Sequence, residues 1–564
     1  MKNPFLKNLL AQFFLLAFFA PAVIASPDTE KVTQLVNEAG ALITQKGEAA
    51  FAGFRAPNSR WRSGEVYVFV IDSTGNMLVH ADPSMEGKNQ LGLTDINGRP
   101  VIRGILSAAL DNRASGGWYH YQWPVPGGLL PRWKSTYAKA FRAPDGKTYI
   151  AGSGNYDDRM ERVFVADMVD RAVNLIEEKG EAGFPELHDT KGPFIAKDAY
   201  VFVIDTDGVE LVNPGFPSLE GRNVMEVKDT KGKPLVREMF NIVRAGDSGW
   251  VEYLWPKPGE SISTLKSTYV RKAHHGDKMF IVGCGVYLAD AEKTKTGKEA
   301  PSPESLIRLV NEASAVFEKR GADAFPEFRK KDSKWFHGDT YFFVWTMDGK
   351  RLFHAANPEG EGKYVADSKD VLGRPWGRMF LETASGASGE GWVHYLYPEP
   401  GDLFPTWKSS FIKRVRFPDG IDYIIGCGIY NMSLGRAFIE DVVDRAAGAL
   451  EKDGRDAFAL LRDKTGPFLF IETYVFVDSP DGTELVNPVQ PSLEGKNLMD
   501  HLDAKGKPLV KEYIGEALSH GKAWVDYEWY RPGTNEPASK HTYVRKVVHG
   551  SEIFIVGAGY YDPE

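Results

Sequence analysis

The sequence predicts an α+β protein in which one small unit, a helix followed by about five hairpin-joined antiparallel strands, is repeated four times. Three observations predict it. One order of motifs recurs four times along the 564 residues. Runs rich in Tyr, Val, Phe and Ile are broken by Asp-Gly and similar turns, such as Asp207-Gly208 and Asp481-Gly482. Apolar residues at helical spacing precede those runs.

Residues 162–178 place Val165, Val169, Ala172 and Ile176 on one helical face, and Ile439, Val443, Ala446 and Leu450 repeat the pattern. In copies one and three, Ser26-Pro27-Asp28 and Ser302-Pro303-Glu304 supply an N-cap serine, a proline at the first helical position and an acid near the positive helix end. A strand and turn follow: EVYVFVIDSTGNMLVH from Glu65, AYVFVIDTDGVELVNP from Ala199, TYFFVWTMDGKRLFHA from Thr340 and TYVFVDSPDGTELVNP from Thr473. Next come an EGK or EGR turn at Glu86, Glu220, Glu361 and Glu494, and a Gly-Arg-Pro or Gly-Lys-Pro step at Gly98, Gly232, Gly373 and Gly506. A tryptophan-led strand (GWYHYQWP, GWVEYLWP, GWVHYLYP, AWVDYEWY) precedes a lysine-led strand (WKSTYAK, LKSTYVR, WKSSFIK, SKHTYVR). Every copy closes on Gly-x-Gly-x-Tyr, ending at Tyr156, Tyr287, Tyr430 and Tyr561.

Trp118 and Trp392 are 274 residues apart, as are Trp250 and Trp524. Copies one and three share the WKS form, and copies two and four share a KGPF or TGPF lead-in and the LVNP form. A two-domain unit duplicated whole is the simplest history. The expected boundaries are 26–158, 159–290, 303–432 and 433–564, with the polar stretch 291–302 as the linker.

Residues 1–25 read as an export signal: Lys2 and Lys7, an apolar run from Leu9 to Phe19, then Val23-Ile24-Ala25 as a cleavage pattern. The apolar run is short for a membrane span. A periplasmic or secreted chain is expected. The net charge of −8 provides no electrostatic reason to bind nucleic acid. Cys284 and Cys427 occupy a slot that takes Ser153 or Ala558 in the other copies, which asks for small volume and not for sulfur chemistry. No GxSxG, HExxH, P-loop or CxxC occurs, and His274-His275 lack ligands at metal spacing. Neither an enzyme nor a cofactor is expected.

These motifs resemble the single Cache domain, specifically its second type, found in bacterial extracytoplasmic sensors. The residues behind the resemblance are the YVFVIDxxG start, PSLEGKN-like turns (Pro217–Asn223, Pro491–Asn497), KDTKGKP from Lys228, GWVEYxWP from Gly249, LKSTYV from Leu265 and the closing Gly-x-Gly-x-Tyr. The resemblance covers nearly all of the chain after residue 25. It implies four PAS-like domains, each a long N-terminal helix beside a central antiparallel sheet with a small pocket. It also implies a small organic acid or similar metabolite as ligand and a membrane receptor or sensor kinase as partner. A membrane helix, a methyl-accepting coiled coil and a kinase domain, which usually accompany such domains, do not follow within these residues.

A small carboxylate needs a cation and aligned donors in a sheltered pocket. Lys134, Lys266, Lys408 and Lys540 recur at one position, read as the start of a strand. A lone lysine there is normally solvated; fourfold recurrence makes it a candidate ligand group. Tyr137, Tyr269 and Tyr543 follow three residues later, with Phe411 in copy three. Lysine and tyrosine at that spacing converge only if the strand starts late or bulges. Tyr121, Tyr253, Tyr395 and Tyr527 lie on the neighbouring strand, and Tyr67, Tyr200, Tyr341 and Tyr474 begin the first strand. His80 and His354 alternate with Asn213 and Asn487. The lost hydroxyl at Phe411 predicts that copy three binds a given acid more weakly or prefers a more apolar ligand. Trp118, Trp250, Trp392 and Trp524 fall on the opposite face from Tyr121 and its equivalents and read as core.

Overall fold

The computed structural model describes residues 26–562 apart from 58, 112–115, 126–129, 157–158, 259–262, 289–301, 399–403 and 532–536. The expected signal segment and nearly all of the expected linker lie outside the described residues.

Long helices span Pro27–Lys46, Arg162–Lys179, Pro303–Arg320 and Arg436–Asp453. The serine caps form as the sequence predicts. Ser26 Oγ accepts the Thr29 N–H at 3.3 Å, and Ser302 and Ser305 make a reciprocal capping box. A shorter helix lies between the second and third strands of each copy: Val101–Asp111, Leu235–Gly246, Trp376–Ser385 and Leu509–His520.

In copy two the strands are Ala199–Asp205, Glu210–Val212, Ser248–Pro256, Ser263–His275 and Lys278–Tyr287. Their order across the sheet is 2-1-5-4-3, all antiparallel, and the other copies repeat it. The long helix covers one face of each sheet and the short helix the other. The short-helix faces make four separate cores. The long-helix faces merge in pairs. Val36, Ile43 and Trp118 of copy one share a core with Phe164, Val169 and Val203 of copy two. Copies three and four do the same through Val310, Phe317 and Trp392 with Phe438, Val443 and Val477.

The Gly-Arg-Pro and Gly-Lys-Pro variants have a structural reason. Arg99, fully buried, donates from copy one to the copy-two carbonyls of Thr190 (2.8 Å), Ile195 (2.9 Å) and Gly192 (2.6 Å). Arg374 of copy three donates to Leu469 (2.6 Å) and Gly466 (2.8 Å) of copy four. Gly192 and Gly466 belong to the KGPF and TGPF segments that only copies two and four carry, and Thr190, Ile195 and Leu469 flank those segments. The equivalent lysines turn back on their own copies: Lys233 Nζ donates to Glu252 O and Lys507 Nζ to Asp526 O, both at 2.6 Å. A forked guanidinium can satisfy several carbonyls at once, which an ammonium on a flexible stem does less well.

The two halves also meet. Phe404, ahead of the fourth strand of copy three, packs with Ile195 and Tyr200 of copy two, its ring 5.1 Å from that of Trp133. The equivalent Leu130 of copy one packs on the copy-four cluster that includes Leu469 and Tyr474.

Candidate functional site

The lysines are not solvated strand ends. They lie within regular strands and are at most 2% exposed. Cross-strand register builds a row around each one. Tyr121 pairs with Lys134, and Lys134 with Tyr156. The same rows are Tyr253–Lys266–Tyr287, Tyr395–Lys408–Tyr430 and Tyr527–Lys540–Tyr561. All three side chains of a row point toward the short-helix face.

The first-strand tyrosine covers the ammonium. Lys134 Nζ sits 3.8 Å from the Tyr67 ring centre and 4.7 Å from that of Tyr156. Lys266 Nζ donates to Tyr200 Oη at 2.9 Å. Lys408 Nζ donates to Tyr341 Oη at 2.6 Å and Tyr430 Oη at 3.2 Å. Lys540 Nζ lies 4.6 Å from the centre of the Tyr474 ring. Aromatic faces stabilise a desolvated cation without neutralising it. Burial therefore still pulls the lysines down, Lys134 and Lys540 to about 7 and Lys266 to about 8.

Histidine and asparagine alternate because both do one backbone job. His80 Nδ1 accepts the Asp82 N–H at 3.0 Å, and His354 Nδ1 accepts that of Asn357 at 2.9 Å. Asn213 Oδ1 accepts the Phe216 N–H at 2.9 Å, and Asn487 Oδ1 that of Gln490 at 2.8 Å. Burial and the nearby Lys134 push His80 down to about 4, so its ring is neutral. With Nδ1 accepting, its proton is on Nε2, which lies 3.4 Å from Tyr67 Oη.

Tyr137, Tyr269 and Tyr543 do not join this site. Three residues past the lysine on a regular strand, they emerge on the long-helix face, paired with Trp118, Trp250 and Trp524 at ring distances of 5.3, 5.2 and 5.3 Å. Phe411 lies against Trp392 in the same place, so its missing hydroxyl removes nothing from the short-helix face that carries the lysine. Of the tryptophans assigned to the core, Trp118 and Trp392 are buried, whereas Trp250 and Trp524 are partly exposed beneath Arg162 and Arg436.

Two further groups lie beside the lysines. The closing tyrosines were visible as a motif, but only register sets them beside the lysines. Tyr156 and Tyr287 also donate to the carbonyls of Pro124 (2.8 Å) and Pro256 (2.6 Å). The same register explains the motif's glycines. A Cβ on Gly285 would lie 2.4 Å from Lys266 Cε, and one on Gly283 would lie 2.3 Å from the Phe202 ring. The second is the side chain three residues before the His/Asn position: Met77, Glu210, Arg351 and Glu484, each buried on the short-helix face. Its identity varies, so repetition could not reveal it.

Residues 43–166 and 165–299 match Single Cache domain 2, and residues 330–460 and 451–561 match the dCache_2 Cache domain. The chain belongs to the Cache family of sensory domains, which typically bind ligands without catalysis and are extracytoplasmic in homologues. The methyl-accepting chemotaxis protein McpP of Pseudomonas putida is 30% identical over 95 residues, 17% of either chain. The sensor histidine kinase MctS of Rhizobium johnstonii is 35% identical over 95 residues, 17% of this chain and 20% of that one. This chain thus spans a fifth or less of the length of these curated relatives. A solved Cache chemosensory domain described for carboxylic acid recognition is 30% identical, over 21% of this chain and 84% of that one, with a TM-score of 0.19. Among the described residues, no helix is long and apolar enough to cross a membrane, and no cluster of three or more His, Cys, Asp or Glu could hold a metal.

Proposed function

We propose that the chain is an exported, periplasmic sensor that takes small organic acids or similar metabolites into its lysine–tyrosine pockets and passes its ligand state to a membrane receptor or sensor kinase. In this reading the copies run 26–158, 159–290, 303–432 and 433–564. The observation that carries it is Lys134, whose ammonium is buried without a hydrogen-bond partner. Such a group is costly unless an anion completes it. A carboxylate on Lys134 Nζ would also be within the reach of Tyr67 Oη and the Nε2–H of His80.

The test pairs calorimetry on the full chain with Lys134→Met, which keeps the stem and removes the charge. Acetate or propionate binding at that pocket should fall at least tenfold while the fold survives. Unchanged titration curves for every carboxylate tried would remove the lysine from the site. A bound carboxylate holds the lysine protonated, so affinity should weaken as pH climbs above about 7, the value of Lys134, by up to tenfold per unit.

A second reading, that some copies serve only as packing modules, is favoured by copy three. There Lys408 already donates to two tyrosine hydroxyls. Loss of one binding event on Lys134→Met but none on Lys408→Met would support it.

A further inference from the structure

The residue that varies beside each lysine has a chemical consequence. In copy two, Glu210 is 5% exposed, and its Oε1 accepts from Asn213 Nδ2 at 2.8 Å. It lies close enough for its charge to act on Lys266, Tyr200 and Tyr253. Glu210 and Lys266 nevertheless form no ion pair with each other: the carboxylate is held by asparagine and the ammonium by tyrosine. Copy four repeats this with Glu484, bound by Asn487 Nδ2 at 2.6 Å, beside Lys540.

Copy four also buries a second carboxyl, Asp478. Its Oδ2 accepts from Tyr513 at 2.7 Å, and its Oδ1 has no partner. Copies one to three hold Ile71, Ile204 and Trp345 there. Copies one and three carry no acid at the Glu210 position. Met77 is apolar, and Arg351 adds a cation whose buried Nε has no partner. Their neighbours, His80 and His354, are neutral donors.

We infer that the four pockets are of two kinds: copies one and three select simple carboxylate anions, while copies two and four select zwitterions that set a carboxylate on lysine and an ammonium on glutamate. This rests on the proposed function and goes further by dividing the ligand class between the copies. Charge balance in a desolvated space sets the division. A lysine with no buried acid at that position, as Lys134 has only the partly exposed Glu65 acting on it, or a lysine with an arginine, is completed by an anion. A lysine and a glutamate that are held apart are completed by a ligand bearing both signs, and a plain carboxylate would bring a second negative charge toward the glutamate. Discrimination is strong because the wrong ligand leaves a buried charge facing its like or facing nothing.

Isosteric probes isolate that charge. Glycine differs from propionate, and alanine from isobutyrate, by an ammonium in place of a methyl group. Calorimetry on the full chain should detect both members of a pair. In the chain carrying Glu210→Gln and Glu484→Gln, which preserve shape and the asparagine bonds, glycine and alanine should weaken at least tenfold. Propionate and isobutyrate should stay within about twofold. In the chain carrying Lys134→Met and Lys408→Met the pattern should invert. Propionate binding with no glycine or alanine binding to the unmodified chain would overturn the division and leave the proposed function standing. So would amino-acid affinity unchanged by the glutamine pair. Failure of all four probes to bind would overturn both.

Discussion

Copies one and three differ from copies two and four in what they do for each other. The odd copies reach across: Arg99 and Arg374 leave their own domains to bind carbonyls of the next one. The even copies are grasped, and Arg171 and Arg445 on their long helices donate back to the carbonyls of Trp118 (3.2 Å) and Trp392 (2.9 Å). One strand position records the same division. It is His120 and His394 in the odd copies, buried, with Nδ1 2.9 Å from Ser135 and Ser409 Oγ. In the even copies it is Glu252 and Asp526, both exposed. The odd face is roofed by its neighbour, Phe470 stacking 3.8 Å from His394, whereas the even face meets water. One fold, repeated, has become two complementary partners, each clasping the other.

Substitution and pH test the contrast directly. The largest effect belongs to Arg99→Met. It strands three carbonyls at roughly 1 kcal/mol or more each, so stability should fall by about 3 kcal/mol in chemical denaturation. Lys233→Met, at the equivalent even position, should cost under about 1 kcal/mol. Equal losses would erase the distinction.

Next is the glycine under each lysine. Gly285→Ala forces a Cβ to 2.4 Å from Lys266 Cε, whereas at Gly154 the nearest lysine atom, Lys134 Cε, is 3.0 Å away. Overpacking of this kind costs about 1–3 kcal/mol. Part of that loss should return in the double variant with Lys266→Ala, by thermal melting. Without recovery, the close approach is not what the glycine serves.

The pH profile separates the two kinds of pocket more gently. A buried lysine whose value falls to about 7 binds fewer protons folded than unfolded between that pH and its ordinary value. Lys134 should therefore add stability as pH rises above 7, with a slope of up to about 1.4 kcal/mol per unit. Burial raises Glu210 and Glu484 to about 7. They bind more protons folded than unfolded below that pH, so they should remove stability as pH climbs from their ordinary range toward 7. Lys134→Met should flatten the alkaline limb, and the paired Glu→Gln variant the acidic one; an unchanged profile would contradict both assignments. The smallest expected effect is Phe411→Tyr. On the long-helix face it should alter carboxylate affinity by less than about 0.5 kcal/mol, and a tenfold gain would return that position to the site.

Much of this was legible from residues alone. Ser26 and Ser302 announced their helices because a cap is read within one turn. The pairing of copies was visible in the 274-residue offset and in matched variants. The divergence of Lys266 from Tyr269 was also implicit, since the faces of a strand alternate. What failed was the placement of the lysine at a solvated strand end, because nothing local distinguishes an exposed strand terminus from a strand that continues through the core.

The residues alone carried the repeat, which comparison of distant segments reveals, and the α+β character, the helix starts and the face each strand residue takes, which depend on neighbours within a few positions. Only the tertiary structure decided that Tyr156 closes on Lys134 and that Arg99 is a clasp. It also decided that Glu210 stands beside Lys266 without pairing to it. Those relations join residues 22 to 96 positions apart, through sheet register and the packing of one copy on another. Register and packing are set by how whole faces bury together, and no single segment carries that information.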